Sequence, residues 1–198
     1  MIIEDKNGMG MDMKGKSHAL LGNYLAEEYL DGVSAPCVKA FLVGCIEPDR
    51  NPATYLKGSL RSQWLRGHNW GNAQKYMERL CDRLERKEKL GIFSWYCLGK
   101  LIHYTVDAFT YAHNEEFTEN LKQHNAYERA LEEYFLDHFG ELAAVKPAAS
   151  GNAMETIRSY HESYLNDPFD IRTDCRYAMT VCCCVLALLV PGKLLCGI

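Results

Sequence analysis

The nine cysteines of this chain include no Cys-x-x-Cys pair, their number is odd, and three are consecutive at 182–184. That excludes a disulfide framework and a cysteine-built zinc finger, and leaves buried thiols in a reducing compartment. No apolar run precedes the first helix. Met1 to Lys16 is polar and glycine-rich, so no signal peptide is expected and a cytoplasmic location follows. Positive charge is not in excess either. A net charge of -4 argues against nucleic acid as the main partner. Tyr177 to Val190 is apolar apart from Thr180 and then meets Pro191. It falls short of the ~20 residues needed to cross a bilayer. The expectation is a buried helix, with membrane-surface anchoring by Leu194 to Ile198 as the alternative. Gly-rich phosphate loops, internal repeats and strand-like alternation are also missing.

What remains is helical, with 47% hydrophobic residues over 198 positions, enough for one all-α domain with a full core. One stretch organises it. Gly99 to His113 carries good helix formers and aromatics with no interruption after Gly99. On a helix His103 and Asp107 are one turn apart on one face, so an imidazole and a carboxylate can aim at one zinc ion. His113 comes six residues on, where this helix should be ending, and can reach back over the same opening. A second His-x-x-x-acid pair follows at His124 and Glu128. With 7 His and 26 acids, a scrambled chain would show roughly one such pair and this one shows two. A helical His beside an acid is also an ordinary surface ion pair of little energetic weight. The argument therefore rests on the whole set: His18, Asp49, His68, His103, Asp107, His113, His124 and Glu128.

In order and spacing this set resembles the zinc-dependent phospholipase C family. The family pattern is an early His, an Asp in a loop and a second His. A helical Gly-x-x-x-His-x-x-x-Asp follows, then a His six residues later and a final His-x-x-x-Glu. The chain supplies Gly99, His103, Asp107, His113, His124 and Glu128 in that order, and the resemblance runs from about Ser17 to Phe135. It implies a multi-helix bundle of the phospholipase C/P1 nuclease type with a multi-zinc site between helices. It also implies hydrolysis of a phosphoric ester by metal-bound hydroxide. Carried over by position, Asp49, His68, His103 and Asp107 hold one zinc, and His113, His124 and Glu128 a second. His18 with Asp107 would serve a third. In the family an N-terminal Trp completes that third site. Here Trp stands only at 64, 70 and 95, so two zinc ions are expected and the third stays open. Asp49 is the candidate catalytic carboxylate, with Glu47 as its neighbour and competitor. The implied partner is a phosphate-ester substrate, with a phospholipid head group and transient membrane-surface contact among the options. A P1-type phosphatase or nuclease, and a zinc-stabilised helical protein without turnover, are the alternatives; oligomeric state is left open.

Taken in order, residues 1–16 read as a flexible leader and 17–198 as the domain. Ser17 can cap a helix from His18 to Leu30. Cys37 to Val43 reads as a short helix ended by Gly44. Cys45 to Pro52, with Pro48 and Pro52, reads as a rigid loop presenting Asp49. The segment from there to His68 is expected to line the head-group pocket. Further helices are expected at Ala73 to Lys89, Glu116 to Phe139 (capped by Asn114) and Ala153 to Leu165. His138 and His161 fall outside the pattern and are expected to bind no metal.

Overall fold

A computed structural model describes residues 15–51, 53–54, 67–144 and 151–190. Most of the expected leader, the pocket-lining segment at 55–66 and the apolar tail at 194–198 lie outside the described residues. Among those described there are eight α-helices and no strands. They are α1 (Lys16–Tyr29), α2 (Ala35–Arg50), α3 (Trp70–Glu85), α4 (Ile92–Ala108), α5 (Leu121–Asp137), α6 (Phe139–Ala143), α7 (Ala153–Tyr164) and α8 (Ile171–Leu189). A 3-10 turn at Tyr111–His113 follows α4. The all-α architecture is as expected.

Helix α4 is the axis of the bundle. It packs against α1, α2, α3 and α8, and 14 of its 17 residues are buried. A helix covered all round should be apolar all round, and α4 nearly is. Besides Ser94, Tyr104 and Thr105, its polar residues Tyr96, Lys100, His103 and Asp107 are spaced by four, three and four, which places them on a single stripe. That stripe faces α2. Lys100 Nζ meets Glu47 Oε2 at 2.8 Å, and His103 Nδ1 donates to the Cys45 carbonyl at 2.9 Å.

The pairing of α2 with α4 corrects the expected break at Gly44. The helix runs through Gly44 and Pro48 to Arg50, and Asp49 stands on its last turn, not in a loop. Gly44 is where the two backbones cross. A Cβ there would lie 3.0 Å from Gly99 Cα and fall against the Tyr96 carbonyl, while one on Gly99 would fall against the Phe41 carbonyl. Glycine here serves close approach and does not end the helix. Pro48 is tolerated because it lies in the last turn, where its missing N–H forfeits a single intrahelical bond.

The other boundaries shift for local reasons. Helix α4 stops at Ala108, five residues short of His113. Asn114 Nδ2 donates to the carbonyls of Ala108 (3.1 Å) and Thr110 (2.9 Å), and Thr110 Oγ1 to that of Val106 (3.0 Å). With its amide so engaged Asn114 does not cap α5. Asn120 does, in a reciprocal capping box with Gln123. Helix α3 opens at Trp70 and closes at Glu85. Helix α8 begins at Ile171, six residues before Tyr177, capped by Asp170. It is the buried core helix expected at 177–190, packed on α4, α5 and α7. No described helix is long and apolar enough to cross a membrane. None of the eight described cysteines is in a disulfide, and all eight are buried.

Candidate metal centre

The crossing at Gly44 and Gly99 brings the last turn of α2 beside the second half of α4, and α1 lies across both. Six side chains meet there. Asp107, 3% exposed, is the hub. Its Oδ2 lies 3.0 Å from His68 Nδ1 and 3.2 Å from His103 Nε2, and its Oδ1 lies 3.5 Å from His18 Nε2 and 3.8 Å from His113 Nε2. Asp49 flanks the same space, with Oδ1 3.5 Å from His103 Nε2 and 3.7 Å from His68 Nδ1, and Oδ2 3.9 Å from His18 Nε2. On the far side of His113, Glu128 Oε1 stands 3.2 Å from His113 Nε2 and 3.0 Å from His124 Nε2. All eight candidate residues named from the sequence fall in this one cluster. Glu47 does not, being engaged by Lys100 and by Asn51 Nδ2 at 2.6 Å.

The donor atoms fit a metal ion. Three groups, His18–Asp49–His103, His68–His103–Asp107 and His113–His124–Glu128, each present one ligand atom per residue within 4.8 Å of the others. Imidazole nitrogen with carboxylate oxygen suits zinc, whereas magnesium and calcium prefer all-oxygen surroundings. Two outer contacts aim the rings. His103 gives its Nδ1 proton to the Cys45 carbonyl, which leaves the lone pair on Nε2, facing Asp107. Thr54 Oγ1 lies 2.6 Å from the carbonyls of both Pro48 and Asn51, so its single proton is committed to one of them. It must therefore accept from His68 Nε2 at 3.1 Å, which turns the lone pair of His68 Nδ1 toward the cluster. His68 Nδ1 and His103 Nε2 then face each other at 3.3 Å, an arrangement that two neutral rings do not satisfy and that either a shared metal ion or a proton on His103 does. One buried atom agrees with this: Asp107 Oδ2 receives no well-aligned hydrogen bond.

The electrostatics show how tightly these groups couple. Burial disfavours a charged His103, but the Asp107 and Asp49 carboxylates outweigh it and raise the ring to about 9. Burial would likewise lift Asp107, and His103 and His113 hold it well below the carboxylate range. Glu128 is also lowered, its burial overcome by hydrogen bonds from His113 and His124. At His68 burial prevails over the pull of Asp107, and the ring is lowered. Solvent reaches the cluster along one edge, where the Asp49, His124 and Glu128 side chains are 18%, 21% and 23% exposed.

A family model for zinc-dependent phospholipase C matches residues 17–177, most of the chain. The chain belongs to the zinc-dependent phospholipase C family. No curated protein and no solved structure gives a significant match. Phospholipase C membership brings zinc dependence and a phospholipase C-like hydrolase function in general terms, and the helical architecture agrees with it.

Two histidines of this phospholipase C-family chain, His138 and His161, lie outside the three metal groups found among the described residues. His138 stacks on Tyr134 at 3.9 Å and bonds its carbonyl. His161 stacks on Trp70 at 4.0 Å, and its Nε2 donates to Asn114 Oδ1 at 2.8 Å. That bond closes the chain that ends α4 and sets the approach to His113. No local signal in the sequence marks Thr54, Asn114 or His161 for these tasks. Burial lowers His161 to about 4 against an ordinary 6.5. A ring kept neutral in the fold but free to charge when unfolded contributes stability above pH ~6.5, and that stability is lost as pH falls toward ~4. Across this window the wild type should lose about 1.4 kcal/mol per pH unit more than His161→Gln. Denaturant unfolding at several pH values checks it, and equal slopes would contradict the neutral, buried ring.

Proposed function

We propose that the protein hydrolyses a phosphoric ester at a site holding two zinc ions. One would be held by Asp49, His68, His103 and Asp107, the other by His113, His124 and Glu128; His18 with Asp107 leaves room for a third. The observation that carries this reading is the Asp107 carboxylate, met by four histidines from four separate segments and flanked by a complete second group. Zinc at such a site supplies Lewis acidity toward a phosphoryl oxygen and makes water a far stronger acid. The chain's own part is division of labour. The buried rings of His68 and His103 fix positions, while Asp49, on the open edge, can orient a water or take its proton. The partly exposed Asp49, His124 and Glu128 side chains leave the cluster within reach of water and substrate, which supports turnover. Leu121, 74% exposed one turn before His124, supports passing contact with a lipid surface beside the site. The buried thiols, none of the eight described in a disulfide, support work in a reducing compartment, the cytoplasm.

Zinc content of protein purified without added metal tests the reading, together with hydrolysis of phosphatidylcholine vesicles, a nucleoside monophosphate and single-stranded DNA in parallel. Two or more zinc per chain with cleavage of the lipid is the expected result. Cleavage of the nucleotide or DNA alone would move the substrate to the P1 type. Bound zinc without turnover would leave a structural metal site.

A further inference from the structure

The fold contains a second buried carboxylate that the zinc site does not include. Asp174, fully buried on the first turn of α8, accepts three hydrogen bonds of 2.8 Å. Its Oδ1 takes the hydroxyl of Tyr164, the last residue of α7. Its Oδ2 takes two donors of another kind: the backbone N–H of Tyr111 and the hydroxyl of Tyr127. Tyr111 opens the 3-10 turn that ends in His113. Tyr127 lies on α5, three residues after His124 and next to Glu128.

We infer that Asp174 is a positioning residue for the second zinc group, its Oδ2 tying the turn that carries His113 to the helix that carries His124 and Glu128. This inference rests on the reading above that those three residues hold zinc. Apart from the contact between the ligands themselves, His113 Nε2 to Glu128 Oε1 at 3.2 Å, the two segments meet at that end through rings. Edge-on aromatic contacts, Tyr111 with Tyr127 at 5.7 Å and His113 with His124 at 5.1 Å, press them together without setting a register. A single oxygen with two well-aligned donors does set one. Ligand atoms must keep their spacing to within a few tenths of an ångström, so releasing this tie should be felt at the metal before it is felt in the core.

The two oxygens of Asp174 supply an internal control. Tyr127→Phe and Tyr164→Phe each delete one hydroxyl from the same carboxylate and leave similar desolvation costs. Only the first loosens a segment that bears ligands. Zinc dissociation constants should be measured on metal-reconstituted protein by competition with a chromophoric chelator. Spectra of the cobalt-substituted protein and thermal midpoints should be taken in parallel, with His124→Ala defining the loss of the second group. Tyr127→Phe and Asp174→Asn should each weaken one zinc equivalent by roughly 10–100-fold, the usual effect of removing an outer-shell partner, and shift the cobalt bands of that site alone. Tyr164→Phe should lower the thermal midpoint comparably while holding both zinc affinities. Equal effects of the two tyrosine variants on zinc, or none from either, would overturn the inference and leave Asp174 a purely structural residue. If Asp174→Asn does not fold, the tyrosine pair still decides. A wild type without zinc, or a His124→Ala that loses none, would instead overturn the zinc assignment and the inference with it.

Discussion

Replacing Asp107 by Ala should remove zinc and turnover together. Its carboxylate stands within 3.8 Å of ring nitrogens from four histidines, and through His113 it joins the two halves of the cluster. Without it His18, His68, His103 and His113 face one another around a missing anion. Losing several kcal/mol of metal-derived transition-state stabilisation means a rate loss of roughly 10³-fold or more. Elemental analysis and phosphodiester hydrolysis on the same preparation check this, with His138→Ala as the variant that should keep both. An Asp107→Ala protein with full zinc and full activity would show that the cluster is not the site.

The second large effect is expected far from any ligand. Gly99→Ala places a methyl group against the backbone carbonyl of Phe41, a contact that no side-chain rotation can relieve. Ala gains about 1 kcal/mol of helix propensity over Gly, but overpacking two main chains at a crossing costs more, and the net loss should be roughly 2–3 kcal/mol. For a chain of this size that lowers the thermal midpoint by roughly 5–10 °C. Because the same crossing holds Asp49 beside His103, zinc affinity should fall with it. Gly140→Ala, where a Cβ meets nothing within 4 Å, should leave both unchanged. A Gly99→Ala protein as stable as wild type would show that α2 and α4 can separate freely.

The parts of this architecture that could be read from the sequence are those set within one helical turn. His103 with Asp107 and His124 with Glu128 needed only the i, i+4 geometry, and both pairs sit as that geometry requires. Helix α2 could not be read in this way. Gly44 looks like a terminator until Gly99, fifty-five positions later by number, is laid across it. Asp174 interrupts the apolar pattern of α8, and its three partners come from 111, 127 and 164, so the true start of that helix was hidden by a contact no window contains. Asn120, with Gln123 three residues on, carries the capping-box signature that Asn114 lacks, and Asn114 is taken up by carbonyls left over from α4. Local chemistry showed which residues could ligate; long-range packing determined what holds them.

The burial of the cysteines has a consequence for the thermodynamics of metal loading. In the fold, burial pushes the Cys183 thiol up to about 11 and Cys81 up to about 12, so neither offers a thiolate at neutral pH. Unfolding would release nine thiols and seven imidazoles along one chain, at ordinary proton affinities and free to wrap around zinc. Mass action then works on both sides of the folding equilibrium. Zinc stabilises the native protein only by the margin through which the preorganised cluster outcompetes the loose ligands of the denatured ensemble. Raising free zinc far above the native dissociation constant brings diminishing returns and begins to favour trapped, unfolded chains. By burying the eight described thiols, the fold leaves zinc, among the described residues, the histidine and carboxylate cluster to occupy.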